Sequence, residues 1–316
     1  MGEEEKASRV WIVVAFATLY VIWGSTYLAI KVAIETMPPF LMATARFVLA
    51  GAVLYAIARL TGARRPSREN WKHAAIVGSM LMAGGNGVVS LAERWIDSGL
   101  AALIIGSSPI LMTLFGWWAN LERRPDLGVW ASLLGGFTGV AFLVASSSGV
   151  ESEGGLLGSL LVVLAMISWT LGCVFSKRHP QRINLWLQSG MQMFCGGLTC
   201  LLIGALLGEF DGFYVSEISM RSWMAFGYLI VFGSFAGFTS YVYVLKHCAP
   251  SAVASHAYVN PAVAVFLGWL ILGETMSASG IAGSILILAS VYALLKRKAK
   301  EAPVERLATS PERSEI

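Results

Sequence analysis

Ten apolar stretches dominate this chain, and each is close to the length of about 20 residues that a helix needs to cross a bilayer. They lie at residues 11–30, 39–60, 72–92, 99–121, 127–146, 155–176, 185–207, 223–244, 252–273 and 279–296. Lipid offers no hydrogen bonds to main-chain N–H and C=O groups, so such stretches must satisfy these groups internally as helices. The sequence therefore predicts an all-α membrane protein with ten transmembrane helices.

The composition excludes a separate soluble domain. Apolar residues make up 56% of the chain and charged residues only 13%, whereas soluble domains contain about a quarter charged residues. The longest predicted loop, residues 208–222, is too short to fold by itself. Any function must therefore reside within the membrane region.

The two ends and the cysteines suggest no processing and no metal. The acidic start, MGEEEKASR, precedes a full-length span without a cleavage site, so we expect no cleaved signal peptide. Residues 297–316 are predicted to form a polar cytoplasmic tail that is disordered beyond Lys300. The four cysteines lack metal-ligand spacing, and we expect neither a metal nor a cofactor.

The basic residues orient the chain in the membrane. With the N-terminus inside, 19 Lys and Arg residues fall on inside segments and only Lys31, Arg94 and Arg221 fall outside. Cytoplasmic loops collect Lys and Arg, so both termini are predicted to be cytoplasmic. The net charge of +4 then reflects this asymmetry, and nucleic acid is not an expected partner.

One motif occurs twice, in opposite orientations. The stretch SPILMTLFGWWANLE (108–122) matches NPAVAVFLGWLILGE (260–274) in its Pro, Gly, Trp and Glu positions. The copies lie in the fourth and ninth spans and therefore cross the membrane in opposite directions. The chain is predicted to contain two inverted five-helix repeats, at residues 11–146 and 155–296, an arrangement typical of carriers that work by alternating access.

The repeated stretches identify a family. The stretches WGSTYLAIKVAIETMPPFLMATARF (23–47), SGLAALIIGSSPILMTLFGWWANLE (98–122) and PSAVASHAYVNPAVAVFLGWLILGE (250–274) resemble the EamA family of the drug/metabolite transporter superfamily. The resemblance implies a ten-span carrier, often an exporter of amino acids, metabolites or toxic compounds. It also implies that spans one, three, four, six, eight and nine surround the cavity.

Polar and aromatic residues deep in the spans are the candidates for substrate contact. Polar groups in lipid are costly unless they face protein or water. The predicted substrate-binding residues are Trp23, Tyr27, Asn86, Trp169, His256, Tyr258 and Asn260. Core packing is the alternative for the two tryptophans, which are related by the repeat, and helix–helix contact is the alternative for Asn86.

His256 is a candidate proton carrier. It lies one turn before Asn260 and just below Pro261, where a proline removes a main-chain hydrogen bond and frees a carbonyl near Ala257. An imidazole titrates near neutral pH and could gain a proton from an acidic exterior. A structural hydrogen bond to a neighbouring carbonyl is the alternative.

Three charged residues in or near the spans invite structural explanations. Arg46 is expected to form an ion pair with Glu35 or Glu93, with outward snorkelling or attraction of an anion as alternatives. Glu122 and Glu274 end the two copies of the motif, and capping or a gate contact is expected there.

The sequence favours a secondary transporter in the lipid bilayer that exports a small organic metabolite, amino acid or drug by alternating access. A membrane-embedded enzyme and an importer are the alternatives. A channel is disfavoured because no ring of charge appears, and an ATP-driven pump because no phosphate-binding loop appears. Proton coupling and a homodimer are left open.

The orientation can be tested by labelling single cysteines in a chain that lacks the four native ones. A cysteine at Ser277 should react with an impermeant thiol reagent added outside, and a cysteine at Arg124 should not. The reverse pattern would contradict both the orientation and the inverted repeat.

Overall fold

The computed structural model describes residues 9–147, 154–248 and 256–308, which form ten long helices numbered here α1 to α10. The helices α1, α2, α5, α6, α7 and α10 span Arg9–Ala33, Pro39–Leu60, Leu127–Ser147, Gly155–Arg178, Leu185–Leu206 and Ala278–Ala308. The remaining four, α3, α4, α8 and α9, are interrupted. Among the described residues, nine helices are long and apolar enough to cross a membrane, and α9 contributes the shorter apolar segment Val259–Leu272.

Three of the interrupted helices contain π-helical segments. Helix α3 consists of Arg68–Gly78, the π segment Ser79–Gly87 and Val88–Ala92. Helix α8 consists of Met220–Tyr228, the π segment Leu229–Ala236 and Gly237–His247. Helix α9 runs over His256–Leu267 and ends in the π segment Gly268–Leu272. The third helix of each repeat is thus widened near its middle.

The two proline positions differ in their local structure. Helix α4 is divided at Ser107 into Ser98–Gly106 and Ser108–Trp118, next to Pro109. Helix α9 instead continues through Pro261 without interruption. A Cβ atom at Gly106 would lie 2.5 Å from Cγ of Pro261 and 3.0 Å from the Ala257 oxygen. The glycine therefore lets α4 cover the carbonyl that the proline frees.

The first helix of each repeat packs against helices of the opposite repeat. Helix α1 packs against α8 and α9, and its counterpart α6 packs against α3 and α4. The pairs α2 with α7 and α5 with α10 also join corresponding helices of the two repeats. The fold is therefore held together mainly by contacts between the repeats, and the predicted ten-helix fold class is confirmed.

Glycines bring the paired helices together. A Cβ atom at Gly51 would lie 2.7 Å from the Gly190 oxygen, and one at Gly190 would lie 3.0 Å from the Gly51 oxygen. In the other pair, a Cβ atom at Gly139 would lie 2.9 Å from the Gly283 oxygen, and one at Gly283 would lie 2.9 Å from the Gly139 oxygen. Small residues commonly allow such approach in membranes, where apolar side chains are as soluble in lipid as in protein.

The ion pair expected for Arg46 is wrong. Its Nε atom donates to the Ser234 hydroxyl of α8 at 3.1 Å, and its guanidinium lies 4.9 Å from the Phe47 ring centroid. Glu35 pairs with Arg221 instead, at 3.3 Å. Burial of Arg46 in the α2–α8 interface places it beside a hydroxyl where a carboxylate was expected.

The tail also differs from the prediction. Helix α10 continues to Ala308, beyond the span predicted to end at residue 296. The first part of the tail at residues 297–316 is therefore helical, and residues 309–316 lie outside the described part of the chain.

Glu274 links the two repeats at the end of α9. Its carboxylate accepts hydrogen bonds from the main-chain N–H of Ser98 (2.9 Å), the Ser98 hydroxyl (2.7 Å) and the main-chain N–H of Gly99 (3.0 Å). These N–H groups belong to the first turn of α4, where a helix lacks internal acceptors and favours negative charge. The expected capping role is thus found across the repeat boundary.

Replacing Glu274 by Gln should lower the stability of the fold. The change removes the negative charge and leaves an N–H group unpaired, and loss of a helix cap costs about 1–2 kcal/mol. Thermal unfolding in detergent should show a lower midpoint for this variant. The exposed Glu217, replaced by Gln, is the control, and an equal midpoint for both variants would contradict the capping role.

Candidate functional site

The two deep tryptophans occupy equivalent places in the two repeats. Trp23 of α1 packs over Gly237 of α8, where a Cβ atom would lie 2.5 Å from the indole Nε1. Trp169 of α6 packs over Gly85 of α3, where a Cβ atom would lie 2.9 Å from the indole Cε3. Both rings are only half-buried. Each ring therefore reaches from one repeat into the other and keeps part of its surface accessible.

An aromatic cluster joins α1, α8 and α9. The Trp23 ring stacks on Tyr241 with centroids 5.2 Å apart and an interplanar angle of 27°. The His256 ring meets Trp23 edge-on at 5.4 Å and lies 6.3 Å from Tyr241. We call Trp23, Tyr241 and His256 the aromatic cluster. Its indole and phenol faces can stack on a solute or attract a cation.

Asn260 lies one turn beyond His256 on α9. The residue is 7% exposed, and its Oδ1 atom is buried without a hydrogen-bond partner among the described residues. Its main-chain oxygen would lie 3.0 Å from a Cβ atom at Gly24, so α1 and α9 are in close contact here. Buried polar atoms are usually paired, and an unpaired amide oxygen is therefore available to accept a donor from a solute.

The remaining predicted residues lie elsewhere. Asn86 is half-buried in the π segment of α3, next to Gly85, and its Nδ2 donates to the Leu81 oxygen at 3.4 Å. This long hydrogen bond is formed within the π-helical turn of α3 itself. Tyr27 lies one turn beyond Trp23 and packs against a cluster of buried apolar side chains, most of which come from α4, α5, α6 and α10. The side chain of Tyr258 lies outside the described part of the structure.

The predicted site residues thus fall into two groups. Trp23, His256 and Asn260 come together at α1 and α9, and Trp169 of α6 contacts Gly85, the residue before Asn86 in α3. Tyr241 and the two glycines under the tryptophans were not predicted. Gly85 and Gly237 are 152 residues apart, the same spacing as Pro109 and Pro261, so the repeat could have revealed them.

A separate groove of about 420 Å³ opens on the side of the helix bundle between α2, α7 and α8. It is lined by Val53, Leu54, Ile57, Thr61, Trp186, Phe235 and Thr239. Its lining includes no residue of either group, and Val53 and Ile57 belong to the exposed apolar surface. The groove is therefore separate from the predicted substrate-binding residues.

Known proteins resemble this chain over nearly its whole length. A bacterial protein of Escherichia coli K12, "Uncharacterized inner membrane transporter YedA", is 32% identical over 283 residues, which cover 89% of this chain and 90% of that one. "Uncharacterized transporter YoaV" of Bacillus subtilis is 22% identical and is covered to 95%, and "Protein PecM" of Dickeya dadantii is 23% identical and is covered to 94%. These matches cover 89% and 90% of the present chain.

The fold and the family are also recognised directly. A solved structure described as "Crystal structure of protein" superposes with a TM-score of 0.62 at 18% identity, covering 90% of this chain and 97% of that chain. This likeness supports the fold alone. The model of the EamA-like transporter family matches residues 10–145 and 156–296, one match for each set of five helices. The chain therefore belongs to the EamA-like transporter family and is a multi-pass membrane protein.

Proposed function

We propose that the protein is a secondary transporter that exports a small organic solute by alternating access. We place it in the inner membrane with both termini in the cytoplasm. The name of the Escherichia coli relative supports the membrane, and the distribution of basic residues supports the orientation. Outward transport is the direction that the family resemblance favours.

One observation carries this proposal: α1 and α6 each pack against the third and fourth helices of the opposite repeat. Rocking of one group of helices against the other would open the interface first on one side of the membrane and then on the other. During this motion two helix pairs would keep their close glycine contacts and stay fixed, namely α2 with α7 and α5 with α10. A site between the mobile groups would then face each side in turn.

The aromatic cluster and Asn260 suggest the chemistry of the solute. Aromatic faces favour an apolar or cationic group, and the unpaired Oδ1 of Asn260 favours a hydrogen-bond donor. A small amine or amide-bearing solute with an apolar portion meets both requirements. Four other predicted residues stay predictions as further contacts to the solute: Tyr27, Asn86, Trp169 and Tyr258.

A membrane enzyme is the weaker alternative. A catalytic general base is usually oriented by an acidic side chain. His256, the candidate base on α9, is instead in contact with the rings of Trp23 and Tyr241. The family relationship also favours transport.

The solute can be identified by comparing metabolites in cells with and without the protein. An exporter should leave one compound, or one chemical class, enriched inside cells that lack it. The purified protein in liposomes should then move that compound across the membrane. Depletion inside those cells would reverse the proposed direction, and an unchanged metabolite profile with no transport in liposomes would contradict the proposal.

Replacing Trp23 or Trp169 by Ala should reduce transport of the identified solute about tenfold or more, because the rings supply binding area between the repeats. Trp118, 77% exposed at the end of α4, is the matched control. The measurements are initial transport rate and thermal unfolding midpoint. Normal transport with a lower midpoint in both variants would assign the rings to core packing.

Replacing His256 by Gln separates its two interpretations. Glutamine keeps hydrogen-bonding capacity but carries no titratable proton. If His256 carries a proton, the variant should still exchange solute across liposome membranes but should lose accumulation against a gradient. Accumulation equal to that of the parent, with the same pH dependence, would show that the histidine is structural.

A further inference from the structure

Glu93 is a buried carboxyl group that has no hydrogen-bond partner in the part of the chain that the structure describes. It follows the last helical segment of α3, Val88–Ala92, and is 0% exposed. Both carboxyl oxygens are buried and lack a hydrogen-bond partner among the described residues. An ionised carboxylate in such surroundings is strongly destabilising, because neither water nor a donor replaces its hydration. The neutral, protonated acid is the form that this conformation accommodates.

Burial raises the pKa of the Glu93 carboxyl group well above its usual range, although the nearby positive charge of Lys31 acts in the opposite direction. Lys31 of α1 directs its Nζ to the main-chain oxygens of Glu93 (2.5 Å) and Ile96 (2.7 Å). These are carbonyls at the C-terminal end of α3, where a helix favours positive charge. Lys31 therefore caps the helix, and it makes no ion pair with the Glu93 carboxyl group within the described structure.

The other charged and titratable groups around Glu93 oppose its ionisation or are engaged elsewhere. Glu274 of α9, which is close enough to act on Glu93, is held by the first turn of α4, and its negative charge disfavours a second carboxylate nearby. Asp97 and the exposed Arg94 lie in the same α3–α4 connection, and Tyr27 of α1 is close enough to interact electrostatically with Glu93. Arg46 of α2 donates to Ser234 of α8.

The remaining neighbouring helices bring no cation. Helix α4 has no titratable residue, and neither has the outer half of α6, residues 155–167. Glu93 thus lies at the end of α3 predicted to face outside, where the last segment of α3 packs against α6 and Lys31 of α1 donates to the Glu93 carbonyl. These are helices of the proposed moving interface.

We propose that Glu93 is a proton-binding site at the outer end of the transport pathway, which must be occupied for that end to close. The proposal rests on alternating access as the proposed function. When the outer end opens, water can solvate the carboxyl group, which then ionises as an ordinary glutamic acid does, near pH 4.3. Closure returns it to its buried position and therefore requires uptake of one proton from outside.

The sign of the pH effect follows from this linkage. The closed outer end binds one proton more than the open one, so acid favours closure and alkali favours opening. Above the ordinary titration range of the acid, the ratio of open to closed protein should rise about tenfold per pH unit.

Accessibility of a cysteine at position 90 can report this equilibrium. Ser90 lies one turn before Glu93 and is 1% exposed, and its hydroxyl donates to the Asn86 oxygen of its own helix at 2.9 Å. A Ser90→Cys chain without the native cysteines would be placed in liposomes. Its labelling by an impermeant thiol reagent from outside would be measured between about pH 5 and pH 8, without any solute.

The same reporter is measured with Glu93→Gln, which carries no charge at any pH. Dividing the parent's labelling rate by that of the Gln variant cancels the pH dependence of the thiol itself. The ratio should rise with pH by up to about tenfold per unit until the open form predominates. Glu93→Met, an apolar replacement of similar size, should behave as the Gln variant does and guards against misfolding of either one.

Glu35→Gln is the matched control, because Glu35 lies at the same side of the protein and is paired with Arg221 in a partly exposed position. It should keep the pH dependence of the parent. Equal pH dependence in the parent and the Glu93 variants, or loss of it in the Glu35 variant, would overturn the proton site while leaving alternating access intact. Absence of outside labelling at every pH in all variants would overturn alternating access as well.

Discussion

Close contact between main chains of the two repeats is the interaction on which this fold depends. Apolar side chains gain little by leaving lipid for a protein interior, so helices in a membrane must associate through fit and polar contacts. Two glycine pairs bring helices of opposite repeats so close that a Cβ atom on one glycine would collide with the main-chain oxygen of the other. They are Gly51 with Gly190 and Gly139 with Gly283. The carboxylate of Glu274 adds a polar bond between the repeats at the first turn of α4. Together these contacts form a frame within which α1 and α6 lie against their partners.

The frame also explains where polar groups are left unpaired. On the side predicted to face outside, Lys31 donates to carbonyls at the end of α3, and Glu274 accepts from N–H groups at the start of α4. Glu93 and the Oδ1 of Asn260 remain without partners in the described structure. Both lie at contacts between elements that the proposed cycle would separate. The free-energy cost of leaving such a polar group unpaired differs between two conformations when the contact around it opens. A bound proton or solute that removes this cost in one conformation can therefore select that conformation.

Much of the fold could be predicted because lipid imposes simple rules on a sequence. Span lengths were enough to predict ten helices. The equal spacing of Trp23 to Lys31 and of Trp169 to Lys177 was enough to identify the two tryptophans as equivalent positions of the repeats. Local irregularities could not be predicted in this way. Regular helical spacing suggests one stripe through Ser79, Asn86 and Glu93, yet the π segment Ser79–Gly87 changes the direction of the side chains that follow it. Arg46 shows a second limit: a hydroxyl of α8 occupies the place where sequence alone suggested a carboxylate.

The exchange of partners between the repeats has a consequence for biosynthesis. Helix α1 ends at Ala33, but its partner α8 begins only at Met220. At about 5–20 residues per second, a ribosome needs about 10–40 s to synthesise the intervening chain. During that time the side of α1 that carries Trp23 faces lipid or other proteins of the membrane. The early helices must therefore be stable as separate spans, and the second half of the chain acts as the template on which the first half completes its packing.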